Sequence, residues 1–259
     1  MLVALTRAVS ATLNDCQLTC KPRESIDVAL ARQQHRAYEL ALEALGVSVV
    51  HLPALDGFPD AVFVEDAAIV LDELAVITTP GTPSRATEGE SLNEALAKFR
   101  SLRRLAAPGT LDGGDVVRIG RALYVGRSTR TNDAGITQLR ALVAPFGYTV
   151  TAVPVHGALH LKTACTYAGR DTLLANPDWA EVSAFAGVTV LPVPEPRGAS
   201  VLEVNGTLLM PASFPATRVL LEKEGFRTLA VDLSELQKAE GGPTCLSLVF
   251  DERASNGGP

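Results

Sequence analysis

A rhythm constrains this chain more than any single motif: a helical stretch followed by two or three short strands, five times over. Helical spacing of apolar residues starts near positions 25, 87, 132, 179 and 215, and after each stretch come short β-like runs cut by Gly, Asn or Pro. The spacing predicts a first helix capped by Ser25 and stopped by Gly46, then helices over 87–105, 132–146, 179–185 and 215–224, and a helical turn over 234–239. Strands are predicted over 2–6, 47–52, 68–71, 74–78, 116–119, 122–125, 148–155, 172–175, 188–193, 201–204, 207–210, 227–231 and 246–250. Asn205-Gly206, between two of these runs, is the strongest hairpin signal in the chain. A doubly wound sheet would give one strand per helix and an early glycine-rich phosphate turn, and neither is present. The pattern predicts an α/β fold repeated radially about an axis, with a site on that axis fed by loops from several units.

Length and charge narrow the function. The 259 residues are expected to form one domain over 1–250, with 251–259 as a disordered tail. Net charge is −6, without a basic run, which argues against a nucleic-acid partner and for a small molecule. No run approaches the roughly 18 apolar residues of a membrane span, and the apolar start is too short for a secretory signal, so a cytoplasmic protein is expected. The cysteines at 16, 20, 165 and 245 lack Cys-x-x-Cys or Cys/His spacing, so neither a zinc site nor a disulfide framework is indicated.

Several residues can carry chemistry. Gly241-Gly242-Pro243-Thr244-Cys245 sets a tight bend before an apolar run, so Cys245 is held at a strand mouth, either as a small apolar residue or as a nucleophile. Asp60, Glu65 and Asp66 lie in the apolar stretch 58–66, where buried carboxylates need a cationic partner from the protein or from a ligand. Asp112 and Asp115 flank two glycines that permit close backbone approach, or simply a turn. Arg85 and Arg130 are in loops, where they are solvated or, as a pair, hold a carboxylate. His160, between Leu159 and Leu161, is a core histidine or an acid/base within reach of a cysteine.

The combination of Cys245 behind Gly-Gly, His160 in His-Leu-Lys-Thr, Asp112 in Leu-Asp-Gly-Gly-Asp and Phe63-Val64-Glu65-Asp66 resembles the dimethylarginine dimethylaminohydrolases of the guanidine-modifying (amidinotransferase) superfamily. The resemblance runs from Leu2 to Phe250 and takes in Arg85, Arg130-Thr131-Asn132 and Leu208-Leu209-Met210-Pro211. It implies a five-bladed α/β propeller (pentein fold) and a hydrolase that converts methylated arginines to citrulline without metal or organic cofactor. It further implies Cys245 as nucleophile, His160 as acid/base and Asp112 as the carboxylate that orients it. Asp60, Glu65 and Asp66 would face the guanidinium; Leu18, Arg85, Arg130 and the backbone near Ala239 would hold the amino-acid end, with Glu240 at the position for the substrate amine. A homodimer stays open. Related readings are an arginine or agmatine deiminase, an amidinotransferase, or a non-catalytic binder of arginine-like metabolites.

Overall fold

The structure is a computed structural model and describes residues 1–252. In chain order it comprises β1 (Leu2–Arg7), α1 (Val28–Ala44), β2 (Ser48–Leu52), β3 (Ala68–Val70), β4 (Leu74–Ile77), α2 (Asn93–Ala97), β5 (Ser101–Arg104), β6 (Val116–Ile119), β7 (Ala122–Arg127), α3 (Asp133–Val143) and β8 (Thr149–Pro154). There follow α4 (Leu161–Ala164), β9 (Cys165–Tyr167), β10 (Thr172–Ala175), β11 (Thr189–Pro192), β12 (Leu202–Val204), β13 (Thr207–Pro211), α5 (Pro215–Lys223), β14 (Arg227–Val231), α6 (Ser234–Lys238) and β15 (Ser247–Asp251). Among the described residues these strands form five three-stranded sheets. Within each, an antiparallel pair leads through a crossover to a third strand parallel to the central one, as in β3-β4-β5 and β6-β7-β8. The first sheet takes its antiparallel strand from the other end of the chain: β15 pairs with β1, Leu5 opposite Leu248 and Thr6 opposite Ser247.

Apolar clusters link the sheets in a cycle. Leu5, Leu248 and Phe250 of the first sheet pack with Ala75 and Ile77 of the second; Leu74 and Val76 pack with Val116 and Val125 of the third. Tyr124 and Val153 join Cys165 and Leu173 of the fourth, whose Leu174 meets Leu208 and Met210 of the fifth. Val204, Leu209 and Val231 then return to Ala4 and to Ala31, Tyr38 and Leu42 of α1. Five sheets each packed on two neighbours make a ring, the propeller-like mixed α/β architecture expected from the repeat.

Local chemistry sets most boundaries. α1 is capped by Asp27, not Ser25: the Asp27 side chain accepts from the Leu30 N–H. Asn132 caps α3 by accepting from Gly135, and Gly147 at φ 76° follows the 3₁₀ turn that ends it. Asn205 and Gly206, at φ 48° and 77°, make the predicted hairpin. Two helices are shorter than predicted. The stretch 87–105 divides into a 3₁₀ turn (Glu88–Leu92), the five-residue α2 and strand β5, because β4 requires a parallel partner and Ser101–Arg104 supplies it. Over 179–185 only the 3₁₀ turn Val182–Ala184 forms. The unpredicted β9 pairs with β10 through a turn in which Arg170 and Asp171 take φ 52° and 51°. Of the expected tail, Asp251 ends β15 and Glu252 N–H donates to the Met1 carbonyl at 2.8 Å, while 253–259 lie outside the described residues. No helix among the described residues is long and apolar enough to cross a membrane.

Candidate active site

Loops from four units converge on one polar centre. A 3₁₀ turn, Val64–Ala67, carries Glu65 and Asp66, and a second, Gly113–Asp115, packs against it. The glycines there are required: a Cβ at Gly113 would lie 1.9 Å from the Glu65 carbonyl oxygen, and one at Gly114 would lie 2.6 Å from His160 Nδ1. Gly114 N–H donates to Asp66 Oδ1 at 3.1 Å. His160 sits just before α4 with its Nε2 bonded to Asp112 Oδ2 at 2.9 Å, while its Nδ1 lies 3.8 Å from Asp66 Oδ1. Asp112 therefore reaches His160 directly, and its other oxygen accepts from Gly81 N–H at 2.8 Å.

Cys245 follows α6, two residues before the strand that closes the ring. The bend is anchored from α1, where the Tyr38 hydroxyl donates to the Pro243 carbonyl at 2.8 Å and lies 2.6 Å from Ser247 Oγ. Gly242 N–H donates to the Cys245 sulfur at 3.4 Å.

Two cavities meet at Cys245 and His160. One, of about 450 Å³, is lined by both residues together with Glu65, Lys162, Arg197 and Phe214. The other, of about 340 Å³, is lined by both residues together with Asp60, Phe63, Asp66, Arg85, Arg130 and Ala239. Gln17, rather than Leu18, reaches this second wall; Leu18 packs on the apolar cluster under α1. Glu240 borders both cavities, and its carboxylate accepts from Thr19 and Cys20 N–H at 2.7 and 2.8 Å, tying down the 17–20 loop.

The two arginines differ. Arg85 is buried and its charge is already met by Asp66 at 2.6 Å and Glu88 at 2.8 Å. Arg130, among the described residues, has side-chain partners that are hydroxyls alone, Thr19 Oγ1 and Thr82 Oγ1. Among those residues it makes no direct ion pair, feels the Asp60 carboxylate across the second cavity, and lines that cavity. Glu88 and Lys162, the latter 2.6 Å from Glu65 Oε1, were not signalled as site residues by sequence, although Glu88 lies a helical three residues beyond Arg85 and Lys162 two beyond His160.

Electrostatics follow from burial and neighbours. Burial, then the charges of Glu65 and Asp66, push the Cys245 thiol up to about 12, against the pull of Gly242 N–H and Thr244. The residue as a whole is half-buried, and the direction of the shift is upward. For His160 burial lowers the pKa, yet Asp66, Asp112 and Asp115 outweigh it and raise it to about 9. The resting pair near neutral pH is thus a thiol and an imidazolium. Burial raises Glu65 despite Lys162, whereas for Asp66 the upward push of burial is overcome by His160 and Arg85. Asp66, Asp112 and His160 place ligand-type atoms within 4.8 Å of one another. A metal ion among them would stand against the Arg85 guanidinium, so the cluster suits an imidazolium better.

A ring of five α/β units with a thiol, an imidazole and carboxylates at its centre is the arrangement of the guanidine-modifying, pentein superfamily of enzymes. No protein-family model matches the chain. Similarity to individual proteins is high: 44% identity over 251 residues to the N(G),N(G)-dimethylarginine dimethylaminohydrolase of Streptomyces coelicolor, covering 96% of this chain and 97% of the relative. The enzyme of the same name from Pseudomonas aeruginosa is 37% identical over 228 residues, covering 86% and 90% of the two chains. A solved structure of the Pseudomonas enzyme, a cysteine-to-serine variant complexed with citrulline, superposes with a TM-score of 0.89 at 34% identity, over 96% of this chain and 98% of that one. The chain belongs to the dimethylarginine dimethylaminohydrolase family.

Proposed function

We propose that the chain hydrolyses Nω-methylated arginines to citrulline and mono- or dimethylamine, with Cys245 as nucleophile, His160 as acid/base and Asp112 as the residue that orients it. One observation carries this reading. The second cavity is lined at once by the carboxylates Asp60 and Asp66, by the guanidinium of Arg130, which is hydrogen-bonded to hydroxyls and not ion-paired, and by the thiol and imidazole. A small molecule with a planar cation at one end and a carboxylate at the other matches that lining. Glu65 lines the adjoining lobe, and its buried Oε2 has no hydrogen-bond partner, which leaves an acceptor for a guanidinium N–H. Arg85, Leu18, Ala239 and Glu240 act behind or beside the amino-acid end.

Burial, then the charges of Glu65 and Asp66, hold the thiol protonated; the arriving guanidinium offsets those charges, and the sulfur gives its proton to solvent as substrate binds, with His160 remaining the imidazolium. The thiolate attacks the guanidinium carbon, and the S–C bond forms. Imidazolium His160 gives its proton to the departing nitrogen, and the C–N bond breaks to release a neutral amine. Neutral His160 then takes a proton from water as it attacks the covalent thiouronium, and collapse gives citrulline and frees the sulfur. These steps use the side chains and one water molecule.

Four free cysteines and a zwitterionic substrate fit a reducing cytoplasm, and the pairing of β1 with β15 supports 1–250 as one folding domain. The test is to incubate the purified chain with asymmetric dimethylarginine, monomethylarginine and arginine, and to identify the amines formed. Citrulline with dimethylamine is expected. Faster ammonia release from arginine would make the chain a deiminase, amidino transfer to added glycine an amidinotransferase, and absence of product a binder.

A further inference from the structure

Asp115 is fully buried, lines neither cavity at Cys245, and enters the chemistry above only as one of the charges that raise His160. Its surroundings are nonetheless built for a carboxylate. Oδ1 accepts from the Leu161 N–H at 2.9 Å, and Oδ2 accepts from the hydroxyls of Ser128 and Thr131, each at 2.6 Å. Opposite it stands Gly126, where a Cβ would come within 2.4 Å of Oδ1, so strand β7 is bare at the place the carboxylate fills.

Each of its three donors leads to a different part of the site. Leu161 is bonded directly to His160 in the chain and opens α4. Thr131, whose proton goes to Asp115, uses its oxygen to accept from the Asp112 N–H at 3.2 Å. Ser128, likewise a donor to Asp115, accepts from the Arg130 N–H at 3.0 Å. Because each hydroxyl proton is committed to the carboxylate, each oxygen is left as an acceptor for its backbone N–H. The polarity of both relays is fixed by Asp115.

We infer that Asp115 is a positioning residue for the reaction: one buried carboxylate sets the backbone of His160, of Asp112 and of Arg130 in common register. A carboxylate is needed, since three donors converge on two oxygens; the amide of an asparagine would turn two N–H groups toward them. Two relays also imply two separable effects. Cutting the Thr131 relay frees Asp112 and disturbs the acid/base pair, whereas cutting the Ser128 relay frees Arg130 and disturbs substrate binding.

This inference rests on the proposed hydrolysis for its kinetic readout, and a second readout is independent of it. Thr131→Val, Ser128→Ala and Asp115→Asn are made, and kcat, KM and the pH profile for asymmetric dimethylarginine are measured beside the pH titration of histidine-labelled enzyme by NMR. The chain has 4 histidines, and His160→Gln identifies the resonance of interest. Thr131→Val is expected to lower kcat roughly tenfold, the scale seen when groups that orient a catalytic ligand are lost, with KM little changed. Its His160 titration should move down by about one unit as the Asp112 bond loosens. Ser128→Ala should raise KM several-fold and leave that titration in place; Asp115→Asn should show both effects. Because Asp115→Asn also removes a charge that raises His160 directly, Thr131→Val decides: a folded Thr131→Val enzyme with an unmoved His160 titration overturns the inference. So does a loss of kcat that follows melting temperature alone. If wild type forms no citrulline, the functional reading fails instead, and the titration still decides the role of Asp115.

Discussion

A buried thiol with two carboxylates behind it resists ionisation, and Cys245 is in that position, enclosed by the protein and beside Glu65 and Asp66. Cys245→Ser is expected to abolish citrulline formation with the fold intact, because a hydroxyl ionises far less readily still than a thiol. Cys165 is buried in the cluster between the third and fourth sheets, and burial alone pushes its thiol up; Cys165→Ala should lose stability but not turnover. A folded, inactive Cys165→Ala enzyme would move the nucleophile. For Arg130→Ala, binding of substrates with an α-carboxylate should weaken by roughly 1.5 to 3 kcal/mol, the range of a hydrogen bond to a charged group, while a decarboxylated analogue should bind unchanged. Equal losses on both would make Arg130 structural. His160 supplies a pH test. Its folded-state pKa is raised from 6.5 to about 9, so its contribution to stability is complete below the unfolded value and disappears as pH rises through the folded one. Over that window stability to urea should fall by about 3 kcal/mol at 1.36 kcal/mol per unit, and His160→Gln should flatten the slope. An unchanged slope in the variant would assign the proton elsewhere.

At the scale of elements, the site is made of short turns held together by glycines. Gly114 lies between His160 Nδ1 and Asp66 Oδ1, and its Cβ would meet them at 2.6 and 2.8 Å. Gly114→Ala is therefore expected to push the imidazole off Asp112 and cut kcat by roughly tenfold or more, at about 1 to 3 kcal/mol of stability from overpacking. An alanine variant with wild-type kcat would show that the turn can yield. Glycines and buried acids in apolar settings could be read from the sequence, which is why the Gly-Gly pairs, Asp112 and the 60–66 carboxylates stood out. The strands β5 and β9 could not. Ser101–Arg104 alternates too little to announce a strand and follows helix-favouring residues; only its pairing with β4 makes it one. β9 enters its hairpin through Arg170 and Asp171, residues that do not advertise a left-handed turn as Asn205-Gly206 does. Partnerships were equally hidden: that Arg85 is consumed by Asp66 and Glu88, and Lys162 by Glu65, depends on distances that spacing does not encode.

For the whole molecule the question is how a ring made from one chain stays closed around a charged centre. Radial repetition leaves the first sheet lacking a strand until β15 arrives, and Cys245 rides in on that strand's leading edge. Closure and assembly of the site are consequently one event. Phe250 is the clasp: it is buried, meets Phe99 edge-on at a centroid distance of 5.2 Å, and has the Arg100 guanidinium 5.5 Å from its ring. Arg100 also donates to the carbonyls of Leu71, Asp251 and Glu252, so the second unit holds the end of β15 through both ring and backbone. Phe250→Ala should cost about 3 to 5 kcal/mol, as for other buried phenylalanines, a large part of the 5 to 15 kcal/mol that holds a typical domain together. Because the seam carries Cys245, hydrogen exchange in the variant should accelerate first in β1 and β15, and citrulline formation should decline in step with that opening. Removing an exposed apolar side chain remote from the seam, Val219→Ala on α5, should do neither. Faster exchange in β13 and β14 ahead of β1 and β15 would place the weakest joint of the ring elsewhere, and would separate the closing of the fold from the assembly of the site.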